Sequence, residues 1–179
     1  PRARPLKMLR LFRTKFRTLE KAQDEIDRVK VIERYLAPDH LAMPQEFLVD
    51  YACGETWNIL LCGLQEYVAG EVIDPWSRLD EEHLSSLFGR MGSYPADGPG
   101  EAWELTLGKV RDMASGFTDR LKSMIRNEEL IPDLAGSGNL IITRSGAVKL
   151  VDINNISSIS LESRVHLDDR GYPVCDKSV

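Results

Sequence analysis

Apolar and basic residues roughly alternate from Leu6 to Leu11, the period of two that predicts a short strand. From Leu19 the period changes. Leu19, Ala22, Ile26, Val29, Ile32 and Leu36 step by three and four, so an amphipathic helix is expected, capped by Thr18 and stopped before Pro38. Residues 45–68 return to alternation. Phe47, Val49 and Tyr51 mark one arm of a hairpin, Gly54 and Glu55 its turn, and Ile59, Leu61, Gly63, Gln65 and Tyr67 one face of the second arm. Ala69–Pro75, with breakers Gly70 and Pro75, reads as a linker. Leu84, Leu87, Phe88 and Met91 predict a helix from about Asp80 to Met91, whose acidic start, Asp80-Glu81-Glu82, is a solvated helix N-terminus. A loop rich in Gly and Pro covers 92–100. A long helix follows from about Glu101 to Arg126, with Trp103, Leu107, Val110, Ala114, Phe117, Leu121 and Met124 as its core stripe. Two short apolar strands, Leu140–Thr143 and Ala147–Asp152, are joined by Arg144-Ser145-Gly146. The tail is polar, with a turn-like Asp168–Pro173. A small antiparallel sheet with one helix, then a linker, then a helical part, is an α+β layout of two lobes around a cleft.

Composition adds exclusions more than assignments. The chain is 42% hydrophobic and 28% charged, an ordinary globular mixture. A net charge of −5 argues against bulk attraction to nucleic acid, and the basic residues between Arg2 and Arg17 read as a solvated face. The longest apolar run, Ile59 to Cys62, is far short of a bilayer span, and no apolar block follows the charged start as a signal peptide would require. The first residue is Pro1 rather than methionine, so the natural N-terminus is expected to lie elsewhere. Cys53, Cys62 and Cys175 have neither disulfide-framework nor metal spacing, and His40, His83 and His166 are scattered. A cytoplasmic location is the expectation that follows.

The chemistry concentrates between Asp133 and Asp152. An acid follows the long helix and a short strand, Asn139 opens a hairpin six residues on, and Asp152 ends the second strand. Folding the hairpin is expected to bring these three side chains to one edge. Two carboxylates and an amide carbonyl are hard oxygen donors that suit Mg²⁺ carrying substrate phosphates. A remaining carboxylate can orient a hydroxyl or water, and phosphoryl transfer asks for little more.

This run resembles the catalytic loop and metal-binding hairpin of the protein-kinase-like superfamily, which includes protein kinases, aminoglycoside and choline phosphotransferases and small bacterial kinase-like proteins. Ile131-Pro132-Asp133-Leu134, Asn139–Ile142 and Val148–Asp152 carry the likeness. Leu64–Gly70 looks like the hinge between lobes. The resemblance implies a truncated two-lobed kinase-like fold, with residues 1–68 as an N-lobe-like sheet and helix and 69–179 as a reduced C-lobe-like part. It implies Asp133 as the catalytic residue and Asn139 and Asp152 as Mg²⁺ ligands. Backbone groups of Glu66 and Val68 would bind adenine of ATP, with Gln65 at the gate, and a Lys7–Glu25 ion pair would hold the phosphates. The acceptor is unknown.

The pattern also departs from the family. No glycine-rich loop precedes Lys7, and the stretch after Asp152 is too short for a full C-lobe. The family's Asn stands five positions after its Asp; here Gly138 occupies that place and Asn139 is one further, so Gly136 and Gly138 must bulge to absorb a residue. Ile131 and Pro132 replace the usual pair before the Asp. Asp152-Ile153-Asn154 replaces Asp-Phe-Gly, leaving Asn154 or Asn155 to assist the metal. Three readings follow: an ATP- and Mg²⁺-dependent phosphotransferase, a kinase-like pseudoenzyme or regulatory nucleotide-binding module, and an unrelated α+β interaction domain in which the acids cap turns.

Overall fold

The computed structural model describes residues 5–95 and 100–159. His166, Cys175 and the Asp168–Pro173 stretch lie outside the described residues. The elements run β1 (Lys7–Phe16), α1 (Leu19–Leu36), β2 (Pro44–Cys53), β3 (Thr56–Glu66), β4 (Gly70–Ile73), α2 (Glu81–Arg90), α3 (Glu101–Glu128), β5 (Leu130–Pro132), β6 (Leu140–Thr143), β7 (Val148–Leu150) and β8 (Ile156–Ser158). The expected strand, helices and both hairpins are present.

β1, β3 and β2 form an antiparallel sheet in that order. The register sets Arg10 opposite Gly63 and Gly63 opposite Glu46, so one rung of the sheet reads Arg10, Gly63, Glu46. Phe12 and Leu61 lie on the inner face with that rung and pack with Ala22, Val29, Ile32 and Leu36 of α1. Thr18 caps α1 as expected, its hydroxyl accepting from the Lys21 N–H at 3.4 Å. The alternation of Phe47, Val49 and Tyr51 falls on the outer face, where these residues and Leu9, Leu11 and Leu64 each stay more than a third exposed.

The expected linker is partly a strand. Gly70–Ile73 forms β4 and pairs antiparallel with β6, whose other neighbour is β7. Gly70 permits this approach: a Cβ there would stand 2.2 Å from the Ile142 carbonyl oxygen. The short strand expected before Asp133 is β5; its partner β8 went unseen in the sequence, because three residues show no alternation to betray it.

α3 carries the long stripe as expected, with Trp103 buried edge-on to Phe88 and Tyr94. α1 lies between the sheet and α3. The Glu128 carboxylate accepts from Arg34 Nη1 at 3.2 Å and the Tyr35 hydroxyl at 2.9 Å. The apolar core is continuous, running from Phe12, Ile32 and Leu61 through Leu87, Trp103 and Leu121 to Leu150, and so crosses residue 68 without a break. After α1 the chain docks on β7: Ala42 N–H donates to the Leu150 carbonyl at 3.0 Å and Leu150 N–H to that of His40 at 2.9 Å. Among the described residues no helix is long and apolar enough to cross a membrane.

Candidate functional site

β5 delivers Asp133 and β8 delivers Asn155 to the same place. Their pairing leaves the Asp133 N–H donating to the Asn155 carbonyl at 2.9 Å, with Asn155 Nδ2 3.5 Å from Asp133 Oδ2. The loop after Asp133 then folds back on that residue. Asp133 Oδ1 accepts from the Ala135 N–H at 3.0 Å and the Gly136 N–H at 2.9 Å. Asn139 N–H donates to the Gly136 carbonyl at 3.1 Å, and Asn139 Nδ2 reaches the Asp133 carbonyl at 2.8 Å. The expected bulge is this turn. Gly138 takes φ of +91°, which a side chain disfavours. A Cβ on Gly136 would lie 2.3 Å from Asn139 Nδ2. With Nδ2 engaged, Asn139 Oδ1 is the oxygen left for a ligand.

The hairpin brings Asp152 to the same loop. Val151 N–H donates to the Asn139 carbonyl at 2.8 Å, so Asp152 follows directly on the rung that holds Asn139. Asp152 Oδ1 accepts from the Asn154 N–H at 2.9 Å. Asp133 and Asn139 are thus hydrogen-bonded to each other, and Asp152 is joined to them through the backbone of its neighbour Val151. A cavity of about 200 Å³ opens at Asp152, lined by Asp152, Asn154 and Asn155 on one side and by Leu11, Phe12 and Thr14 of β1 on the other.

Asn154 Oδ1 is buried without a hydrogen-bond partner. An oxygen so placed is costly unless water or a cation meets it. Among the described residues no three His, Cys, Asp or Glu side chains converge. A hard cation would therefore draw on the Asp152 carboxylate, the amide oxygens of Asn139 and Asn154, and phosphate or water, a donor set that fits Mg²⁺.

The expected Lys7–Glu25 pair is not formed. Lys7 Nζ donates to Gln45 Oε1 at 2.8 Å, and Lys7 stands opposite Glu66 at the hinge end of β1. Glu25 lies 3.8 Å from Arg28 on its own helix. Lys7 precedes Phe12 by five residues of extended chain, roughly 16 Å, so it cannot share the cavity that Phe12 lines with Asp152. The basic group near Asp152 is Arg10, three residues on and on the opposite strand face. Its side chain is 9% exposed, and Nη2 lies 3.8 Å from Glu46 Oε1 across the side-chain-free Gly63. The Arg10 guanidinium nitrogens and both Glu46 oxygens are buried without hydrogen bonds. Burial lowers the Arg10 pKa, while the negative charge of Asp152 and then of Glu46 holds it up. The sequence signal for Arg10 is its parity with Phe12, which places both on the inner face of β1.

Residues 65–68, expected as a hinge, are held from both sides. Glu66 N–H donates to the Met43 carbonyl at 3.0 Å, and Lys149 Nζ reaches the Pro38 and Leu41 carbonyls at 3.1 and 3.2 Å and Glu66 Oε2 at 3.5 Å. Gln65 is buried, and its Nε2 donates to the Val151 carbonyl at 2.7 Å, linking the sheet to the residue before Asp152. Val68 packs with Ala42, Val151 and Ile141.

No protein-family model matches the chain, and no curated protein matches it. Among solved structures, the chain is similar to "ROP18 kinase domain in complex with AMP-PNP and sucrose", at 9% identity and a TM-score of 0.37. The likeness covers 84% of this chain and 44% of that one, so the chain spans less than half the length of that neighbour.

Proposed function

We propose that the chain is a phosphotransferase of protein-kinase-like, two-lobed type that uses ATP and Mg²⁺. The observation that carries this reading is the hydrogen-bonded Asp133–Asn139 loop, joined through the Val151 backbone to Asp152, which lines one cavity with Asn154 and its orphaned amide oxygen. In this reading Asp133 orients the acceptor hydroxyl through Oδ2, since Oδ1 is committed to the loop. Asp152 and Asn139 would hold the metal, which when bound neutralises phosphate charge. Arg10, buried against Glu46, would act on Asp152 through its charge rather than by touching phosphate. Adenine would meet the backbone at Glu66 and Val68.

The same geometry favours a second reading, a module that binds nucleotide without turnover. Asp133 Oδ1 and Asp152 Oδ1 both cap their own turns, a structural task that needs no catalysis. Two measurements decide. A thermal melt with ATP and Mg²⁺ tests nucleotide binding: saturation at 100 times Kd adds about 2.7 kcal/mol, and no shift sinks both readings. Phosphoryl release or transfer that falls at least a hundredfold in Asp133→Ala, with nucleotide binding retained, supports the transferase. Binding without turnover in the unaltered chain supports the module instead.

A further inference from the structure

The outer face of the β1–β3–β2 sheet is apolar and open. Leu9 and Leu11 are each 62% exposed, and Phe47, Val49, Tyr51 and Leu64 between 36% and 39%. Single exposed apolar residues need no explanation. These six do, because they stand together. Leu9, Leu64 and Gln45 form one rung of that face, Leu11, Cys62 and Phe47 the next, and Lys15, Leu60 and Val49 the one after. The exposed parts of the six side chains come to roughly 500 Å², at about 180 Å² for a whole large side chain. A monomer seldom leaves a larger patch to water.

Size and charge both match a surface that pairs with itself. A stable interface takes about 800 Å² from each partner and is roughly 60% apolar. An apolar centre of this extent, with its polar rim, is one such half. The charges on the face are already met. Lys7 stands opposite Glu66 on the end rung, and Lys15 Nζ lies over the Tyr51 ring, 5.3 Å from its centroid. A face so nearly neutral gives no steering to an acidic or a basic partner. It can meet its own image without repulsion if the lysines stay apart. A two-fold axis laid across the strands at the Leu11–Cys62–Phe47 rung meets that condition. It sets Phe47 against the partner's Phe47 and Lys15 against the partner's Leu9. Two sheets stacked so keep their strands roughly aligned, about 10 Å apart.

The geometry points to a homodimer in which the outer sheet face packs on the same face of a second copy, with Phe47 on the two-fold axis. The phosphotransferase reading plays no part in it. Leu11 belongs both to this face and to the wall of the Asp152 cavity, so the seam runs beside that cavity.

The test is sedimentation of the whole chain. At about 50 μM the unaltered protein is expected to run as a dimer. Phe47→Glu and Phe47→Lys each set like charges against one another on the axis. Each is expected to weaken association at least about a hundredfold, giving monomers with an unchanged circular dichroism spectrum. An equimolar mixture of the two restores the dimer, because a carboxylate then meets an ammonium across the axis. Val49→Asp, at a second exposed position, gives a monomer too and decides the matter if the Phe47 variants fail to fold. Trp57→Glu is the control: its parity with Leu61 puts it on the other face, and it leaves the dimer intact. A wild-type monomer at this concentration leaves the face to a different occupant and overturns the proposal. So does a dimer that survives Phe47→Glu or Val49→Asp, or one that Trp57→Glu dissolves. Phe47 variants that stay monomeric when mixed overturn the placing of Phe47 on the axis.

Discussion

Asn139 donates through Nδ2 to the Asp133 carbonyl and keeps Oδ1 as an acceptor, so its two ends can be tested apart. Asn139→Ala removes the 2.8 Å bond and is expected to cost about 1–2 kcal/mol. Asn139→Asp places a carboxylate against a carbonyl oxygen and should cost more. Urea midpoints in the order wild type, Ala, Asp are expected, and an Asp variant as stable as wild type would show that the amide donates nothing. Glu46 invites a test by pH. Burial raises its pKa above the ordinary 4.5, against the opposing pulls of Lys30, its own backbone bond and Arg10, with Glu33 adding to the rise. A carboxyl that holds its proton more tightly when folded contributes stability fully present below its unfolded pKa and lost as pH rises through the raised value. Stability should therefore decline through this group above pH ~4.5, and Glu46→Gln should flatten that part of the curve; an unchanged slope would exclude Glu46 as its source. Residue types were readable in sequence where chain connectivity fixes the neighbours, as with Asp133, Asn139 and Asp152. Arg10 was missed because its meaning comes from a rung: only the register that sets it beside Gly63 and Glu46 makes it the buried cation.

At the scale of elements, the loop from Asp133 to Asn139 works only because two positions lack side chains. Gly136→Ala would drive a methyl into the Asn139 amide, which cannot yield without losing its bond to Asp133. A loss of about 1–3 kcal/mol is expected, together with loss of any ATP–Mg²⁺ stabilisation. A Gly136→Ala variant that melts and binds like wild type would mean the loop has another conformation in solution. The helices were legible because each has a long stripe of period near 3.6, and the β2–β3 and β6–β7 hairpins because Gly54 and Gly146 punctuate them. β4 and β8, the partner of β5, were not. Three or four residues carry no measurable period, and these strands exist because partners distant in sequence offer them an edge.

For the whole molecule, the continuous core bears on cooperativity. Leu61 belongs to the sheet and Leu121 to α3, yet both join one apolar cluster through α1. Leu61→Ala and Leu121→Ala are each expected to lower one common transition by 2–5 kcal/mol. Circular dichroism at helical wavelengths and Trp103 fluorescence should report the same midpoint in both variants. Two separated midpoints would show that the halves melt independently. The sequence suggested the two halves but could not show their union, because the surfaces that join them are ordinary helix faces whose partner is not written in their spacing.

Glu128 stands at the last turn of α3, holding Arg34 and Tyr35 near the last turn of α1, and the chain leaves it straight into β5 and Asp133. Mechanically that makes a rigid strut, with the sheet at one end and Asp133 at the other. Through this carboxylate, force applied to α1 is transmitted to the loop after Asp133. Glu128→Ala should therefore quicken hydrogen exchange at the amides of residues 133–139, while exchange at β2 and β3 keeps its pace.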